Sequence, residues 1–143
     1  MLACVANLVQ DMVGSGAVVR HAHMELAEPT IAQGFSACVA AGADEVIAFP
    51  YMLSPGRHST RDIPRMIAEA AARHPGVTFR VTPAFGVHEM LAAVVLARAG
   101  LPPVREPSAE GGSTCWEPEC ETGRCGEGCP AAQAGSPAPA VIS

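Results

Sequence analysis

Hydrophobic residues recur alternately at helical and at strand-like spacing over the first hundred positions of the chain. Helical spacing bounded by Gly or Pro predicts four helices, which cover about residues 2–13, 31–41, 63–73 and 88–99. Short runs rich in β-branched residues predict three strands, which cover residues 17–24, 45–49 and 77–81. The last helix is expected to turn one apolar stripe inward, made of Met90, Leu91, Val94 and Val95.

The order of these elements, one helix and then three strand–helix units, indicates the fold class. Such alternation is typical of an α/β protein, here a three-layer sandwich with a parallel sheet and right-handed crossovers, like half of a flavodoxin-like unit. The first helix has no strand before it. We therefore expect the first strand of the sheet to be absent from this chain.

The composition changes after the fourth helix. From residue 104 onward Gly, Pro, Ser and Glu dominate and the apolar periodicity ends. We predict one α/β domain over residues 1–103 and a flexible, Cys-rich tail over residues 104–143, ordered at most around its cysteines.

The net charge and the apolar runs exclude several classes of partner. A net charge of -5 without any basic cluster argues against a nucleic-acid surface. No apolar run is long enough to span a bilayer, and the N-terminus resembles neither a secretory signal nor a transit peptide. The sequence thus predicts a protein that binds neither nucleic acid nor a membrane.

Cysteines fall into two groups of different expected role. Cys4 and Cys38 lie in apolar helical patterns and are predicted to be core thiols. The other four, Cys115, Cys120, Cys125 and Cys129, crowd into the tail and can bind an iron–sulfur cluster or zinc. Their spacing lacks the usual C-x2-C pair, so an unstructured or oxidised tail is the alternative.

Histidines and carboxylates follow the predicted strands. Side chains alternate across a strand, so His21, His23 and Glu25 share one face of the strand over 17–24. His58 and His88 follow the other two strands. Imidazole and carboxylate at one rim of the sheet favour a divalent-metal site, since they suit Fe, Co, Ni or Zn. The alternatives are a solvated edge strand and a His58 that caps a helix.

Two arginines flank the second of these histidines. Arg57 and Arg61 surround His58 just before the third helix, where a helix N-terminus would help them attract an anion. A solvated pair of arginines is equally compatible with the sequence.

Several segments together resemble the small class II chelatases, and within them the plant and algal group. They are His23-Met24-Glu25-Leu26-Ala27-Glu28-Pro29-Thr30-Ile31, Pro55-Gly56-Arg57-His58, Asp62-Ile63-Pro64 and Gly86-Val87-His88, and they occur in the family's order over roughly residues 1–100. The resemblance implies insertion of Fe²⁺ into sirohydrochlorin in sirohaem biosynthesis. Insertion of cobalt for corrin synthesis and a non-catalytic metal or iron–sulfur carrier remain alternatives.

The resemblance also implies roles for individual residues. His58 and Glu25 would be catalytic and would hold the metal together with His23, while Arg57, Arg61 and His88 would bind the substrate. An apolar cleft for the ring is expected from Tyr51, Met52, Leu53 and Phe85. A 2Fe–2S cluster on the four tail cysteines, a homodimer and a chloroplast stroma location are implied as well.

One motif of the resembling family is missing. The family begins with an internal strand that ends in His-Gly-Ser-Arg, whose His is a metal ligand, whereas this chain starts within the helix that should follow. We therefore expect an N-terminally incomplete version of the enzyme, in which His21 or His23 is a candidate replacement ligand.

Overall fold

A computed structural model of the chain describes residues 1–107 and 112–113. Its helices are α1 (Leu2–Val13), α2 (Ile31–Ala40), α3 (Ile63–Ala71) and α4 (Glu89–Ala99). Its strands are β1 (Glu45–Ala48), β2 (Thr78–Val81), β3 (Val87–His88) and β4 (Gly112–Ser113). A short 3₁₀ turn, Gly14–Gly16, follows α1, and a π-helical turn, His58–Asp62, leads into α3. None of the described helices is long and apolar enough to cross a bilayer.

The central sheet is parallel, which confirms the predicted α/β fold class. Strand β1 pairs with β2 in parallel, with Val46 opposite Phe79 and Ala48 opposite Val81. A second, antiparallel pair joins β3 to β4, with His88 opposite Gly112. The register of the parallel pair places the carboxyl ends of β1 and β2 side by side, where ligands bind in folds of this kind.

The hydrophobic core lies between the parallel sheet and one pair of helices. Helices α2 and α3 pack on each other, α2 also packs on β1 and α3 on β2. The buried cluster consists of Ile31, Phe35, Cys38, Val46, Ile67, Ala70 and Ala71. Helix α2 begins with a full capping box, in which Thr30 and Gln33 exchange side-chain and backbone hydrogen bonds. The core thus fixes α2, β1 and α3 relative to each other.

The strand predicted over residues 17–24 does not form. The segment buries Val19, but among the described residues its only ladder contact is a single parallel bridge between His23 and Thr30. The Gln10 side chain bonds to the carbonyl of Ala17 and to the N–H of Val19, at 3.0 and 2.9 Å. The prediction was wrong because a strand exists only through a hydrogen-bonded neighbour, and the described residues supply none beside this segment.

The burial predicted for the apolar stripe of α4 and for Cys4 was also wrong. No residue of α4 is buried, and Met90, Val94 and Val95 expose about half or more of their surface. Helix α4 is apolar on most of its faces, so spacing alone could not identify an inward stripe. Cys4 is exposed on α1, whereas Cys38 is buried in the core as predicted.

The tail lies almost entirely beyond the described residues. Cys115, Cys120, Cys125 and Cys129 are outside them, as is any cluster that they would bind. The division into a domain over 1–103 and a tail over 104–143 stays a prediction.

Candidate functional site

Aromatic side chains join the loops that follow β1 and β2. Phe85 packs edge-on against both Phe49 and Tyr51, with ring centroids 4.8 and 4.9 Å apart. The N–H of Phe85 also donates to the carbonyl of Met52 at 3.0 Å. Three of the four predicted ring-binding residues are therefore brought together, while Leu53 projects into solvent with 70% of its surface exposed. Such an aromatic cluster offers flat apolar surface to a planar ligand.

A cavity of about 230 Å³ extends from this cluster into the core. Its walls are almost entirely apolar, and the polar side chains among them are Arg20, His23 and Tyr51. Cys38 also lines the cavity, and burial raises the pKa of its thiol while the Arg20 charge opposes that rise. The cavity is smaller than the roughly 300–1,000 Å³ of ordinary ligand pockets, so a tetrapyrrole can touch only its rim.

The loop that carries His58 is held by hydrogen bonds to one glycine. The buried Ser59 hydroxyl accepts from the N–H of Gly56 at 2.9 Å and lies 3.1 Å from its carbonyl oxygen. Thr60 bonds to the same carbonyl through its N–H and its hydroxyl, each at 2.9 Å. The N–H of Ile63 reaches back to the carbonyl of His58 and closes a π-helical turn. Such turns frequently occur at functional sites.

His58 is oriented by a carboxylate one turn further along. Its Nδ1 atom lies 3.1 Å from Oδ2 of Asp62, and 58% of the His58 side chain is exposed. An ionised carboxylate only accepts hydrogen bonds, so Nδ1 must donate. In the neutral imidazole the lone pair then resides on Nε2. Sequence reasoning missed Asp62 as the partner of His58, although the i,i+4 spacing was visible.

Two exposed arginines flank this imidazole. Arg57 immediately precedes the π-helical turn and Arg61 lies within it. Neither side chain has an ion-pair partner within residues 1–107 and 112–113. Their guanidinium groups thus remain available for an anionic ligand beside His58.

The first predicted metal-binding segment is only partly assembled. The rings of His21 and His23 approach edge-to-face at 5.9 Å, as expected for side chains on one face of an extended segment. Glu25 follows in an exposed bend, next to Leu26 with a φ of 64°. Across the described residues, no three His, Cys, Asp or Glu side chains lie close enough to hold one metal ion. His23, Glu25 and His58 are therefore not gathered into such a group in this conformation.

His88 serves as the N-cap of α4. Its Nδ1 accepts the N–H of Met90 at 3.0 Å, which leaves Nε2 for another partner. The first residue of the helix, Glu89, receives two hydrogen bonds of 2.7 Å from Arg105. The structure thus assigns His88 a capping contact in addition to its predicted role in substrate binding.

Two known proteins with similar sequences are named as sirohydrochlorin chelatases, one for iron and one for cobalt. An Arabidopsis thaliana protein named chloroplastic sirohydrochlorin ferrochelatase is 46% identical over 78 residues, which cover 54% of this chain and 35% of that protein. A sirohydrochlorin cobaltochelatase of Priestia megaterium is 37% identical over 81 residues, covering 57% of this chain and 26% of that protein. This chain thus spans about a third or less of the length of these relatives.

A solved structure and a family profile agree with the sequence matches. The structure of SirB from Bacillus subtilis with Fe³⁺ superposes with a TM-score of 0.62 at 31% identity, covering 70% of this chain and 40% of that one. The profile of the CbiX family matches residues 2–100. The chain therefore belongs to the CbiX family of class II chelatases, as its segments predicted.

Proposed function

We propose that this chain carries the metal-insertion site of a sirohydrochlorin ferrochelatase, with Fe²⁺ and sirohydrochlorin as substrates. The observation that carries the proposal is the His58–Asp62 pair in the turn between β1 and α3, beside two arginines that lack ion-pair partners in the described part of the chain. The relatives named as sirohydrochlorin chelatases support the choice of substrate.

His58 has the chemistry that metal insertion needs. Its Nε2 lone pair can ligate an incoming divalent ion or accept a proton from a pyrrole N–H, because the pKa of imidazole lies near neutral pH. Asp62 fixes the tautomer that exposes this lone pair. Glu25 and His23 are proposed to complete the metal site, which requires movement of the exposed bend that follows His23.

The positive charge and the apolar surface of the site match the proposed substrate. Sirohydrochlorin carries many carboxylates, which Arg57 and Arg61 can bind as paired hydrogen-bond donors. Its ring would lie against the cluster of Phe49, Tyr51 and Phe85 at the rim of the cavity. His88, with its Nε2 not used in capping, is proposed as a further contact to the substrate.

The choice of iron over cobalt rests on the sequence relatives rather than on the site. Imidazole and carboxylate accept both ions, so the site itself does not discriminate. The higher identity to the Arabidopsis ferrochelatase than to the Priestia cobaltochelatase favours Fe²⁺. The same relative supports a chloroplast location, and a homodimer remains a prediction.

An anaerobic insertion assay tests the proposal. Sirohydrochlorin is supplied with Fe²⁺ or Co²⁺ to the full chain and to His58→Ala, and loss of the free-base absorption is followed. Arg73→Ala, an exposed change beyond the end of α3, is the matched control. Insertion that His58→Ala leaves unchanged would refute the assigned role of His58. Stoichiometric metal binding without insertion would indicate the carrier alternative.

A further inference from the structure

Ser59 is the only buried polar residue in the described part of the chain. It is 6% exposed, whereas its neighbours His58 and Thr60 are both exposed. A buried hydroxyl is stable only where hydrogen bonds satisfy it, and among the described residues this one bonds to the backbone of Gly56. Ser59 therefore ties the inner side of the turn that carries His58 to the residue at which the turn begins.

The two backbone groups of Gly56 depend on Ser59 to different degrees. The carbonyl accepts the N–H and the hydroxyl of Thr60, each at 2.9 Å, besides lying 3.1 Å from Oγ of Ser59. The N–H of Gly56 donates to Oγ of Ser59 at 2.9 Å and has no other acceptor among the described residues. Loss of the Ser59 hydroxyl would therefore leave the carbonyl bonded but the N–H without a protein partner.

The bond between the Gly56 N–H and Ser59 closes a ring around Arg57 and His58. It resembles the half of a capping box in which a side chain accepts the N–H of the residue three positions earlier. On the other side, the N–H of Ile63 donates to the carbonyl of His58 and closes the π-helical turn. The backbone from which the imidazole projects is thus held at both ends.

We propose that Ser59 is a positioning residue for metal insertion. It holds the backbone of His58 where Nδ1 bonds to Asp62 and Nε2 stays free. This inference rests on the proposed function and adds to it a residue that touches neither the metal nor sirohydrochlorin. A group that ligates an ion or takes up a proton must be placed closely, since a displacement of about 1 Å can cost about 100-fold in rate.

The effect on kcat should exceed the effect on KM. Arg57 also lies within the ring, but its long side chain can still reach a substrate carboxylate after a small shift of the backbone. The imidazole of His58 is short and has no such reach. We therefore expect Ser59→Ala to lower kcat for metal insertion at least about tenfold and to change KM less than about twofold.

Steady-state kinetics with Fe²⁺ and sirohydrochlorin tests this expectation on the full chain. Ser59→Thr keeps the hydroxyl and should restore kcat to within about twofold of the native value. Ser54→Ala makes the same change as Ser59→Ala at an exposed position of the same loop, and should leave kcat unchanged. Thermal transitions of all variants report whether they are folded.

NMR measures the proposed positioning without any turnover. In the native chain, the Gly56 amide should exchange at least about tenfold more slowly than the exposed Ser54 amide, and Ser59→Ala should remove that difference. The ¹⁵N shifts of the His58 ring, at a pH where it is neutral, report the fraction that carries its proton on Nδ1. We expect this fraction to fall in Ser59→Ala, because the contact with Asp62 is loosened.

The outcomes separate this inference from the proposed function. An unchanged kcat in folded Ser59→Ala, with insertion lost in His58→Ala, would overturn the role of Ser59 and leave the proposed function standing. If the native chain inserts no metal, the proposed function fails. Equal tautomer fractions of His58 in the native chain and in Ser59→Ala would then overturn the positioning role as well. Fast exchange of the Gly56 amide in the native chain would overturn it without any variant.

Discussion

The Nδ1 atom of His58 lies 3.1 Å from Oδ2 of Asp62, across one turn of the π-helical segment that leads into α3. This contact leaves Nε2 of the imidazole exposed for a metal ion or a pyrrole proton. It also couples the orientation of the proposed catalytic group to the start of a helix that is anchored in the core by Ile67. The orientation of His58 therefore depends on the packing of α3 in the core.

The first prediction concerns this carboxylate. Asp62→Asn replaces an acceptor with a group that can also donate, so the preferred tautomer of His58 is no longer enforced. We expect kcat/KM for metal insertion to fall about 10- to 100-fold, the usual effect of losing a carboxylate behind a metal-binding histidine. Steady-state kinetics with sirohydrochlorin and Fe²⁺ measures the change. Asp44→Asn, an exposed change at the far end of β1, should have little effect, and equal losses in both variants would contradict the assignment.

The second prediction concerns the two arginines beside His58. Changing Arg57 or Arg61 to Gln removes a positive charge from an exposed site, where one ionic contact contributes about 1 kcal/mol. We expect KM for sirohydrochlorin to rise roughly fivefold for each change, with kcat little altered. The salt dependence of KM should weaken in both variants, because screening acts on the charge that was removed. Kinetics at two ionic strengths provide the measurement.

Arg73→Gln is the control for the second prediction. It removes the same charge from an exposed position at the opposite end of α3 and should leave KM unchanged. A matching rise in KM for this variant would show that net charge, rather than local contact, attracts the substrate.

The sequence predicted the central elements of the fold because their patterns are local. The apolar run at the start of β1 and the stripe through Ile63 and Ile67 identify a buried strand and an amphipathic helix without any knowledge of neighbours. The segment over 17–24 has an equally good strand pattern, but its state depends on a hydrogen-bonded neighbour. The inward stripe predicted for helix α4 was wrong for a related reason, since the apolar residues of a helix do not identify the surface that covers them.

The candidate site could likewise be predicted where its residues follow a local pattern, but not where they meet through contacts between loops. Spacing places His58 and Arg57 at the end of β1, and the resemblance assigns their chemistry. The Asp62 contact and the meeting of Tyr51 with Phe85 depend on loop geometry that no periodicity encodes. Contacts between the loops that follow β1 and β2 form only once the register of these two strands is set.

The third prediction tests the close packing of α2 on the extended segment. A Cβ atom at Gly34 would lie 2.9 Å from the Cβ of Ala22, too close for carbon atoms in contact. Overpacking of this kind costs about 1–3 kcal/mol, which outweighs the gain of up to about 1 kcal/mol from a better helix former. We therefore expect Gly34→Ala to lower the free energy of unfolding, measured by urea titration. Adding Ala22→Gly should restore most of the loss.

Gly16→Ala is the matched control for the third prediction. Its Cβ would meet only the Val13 side chain, at an ordinary 3.8 Å, so the effect should stay within about 0.5 kcal/mol. If Ala22→Gly fails to rescue Gly34→Ala, the cost arises elsewhere than in the contact between these two residues.

The fourth prediction concerns the pH dependence of stability. Burial raises the pKa of the Cys38 thiol above its ordinary value of 9.0, so the folded state keeps this proton at a pH where the unfolded chain has lost it. Well below pH 9.0 both states are protonated and Cys38 contributes no pH dependence. Above that value the unfolded state binds fewer protons, so the free energy of unfolding must fall as pH rises toward the folded-state pKa. Urea titrations between pH 8 and 10.5, on the reduced protein, measure the effect.

Cys38→Val isolates this contribution from the other groups that titrate in the same range. Valine has a similar size and no proton to lose, so the difference in stability between the native chain and Cys38→Val should change in favour of Val as pH rises above 9.0. A difference between the native chain and Cys38→Val that stays flat with pH would mean that water reaches the thiol through the cavity that it lines, and that its pKa is not raised in solution.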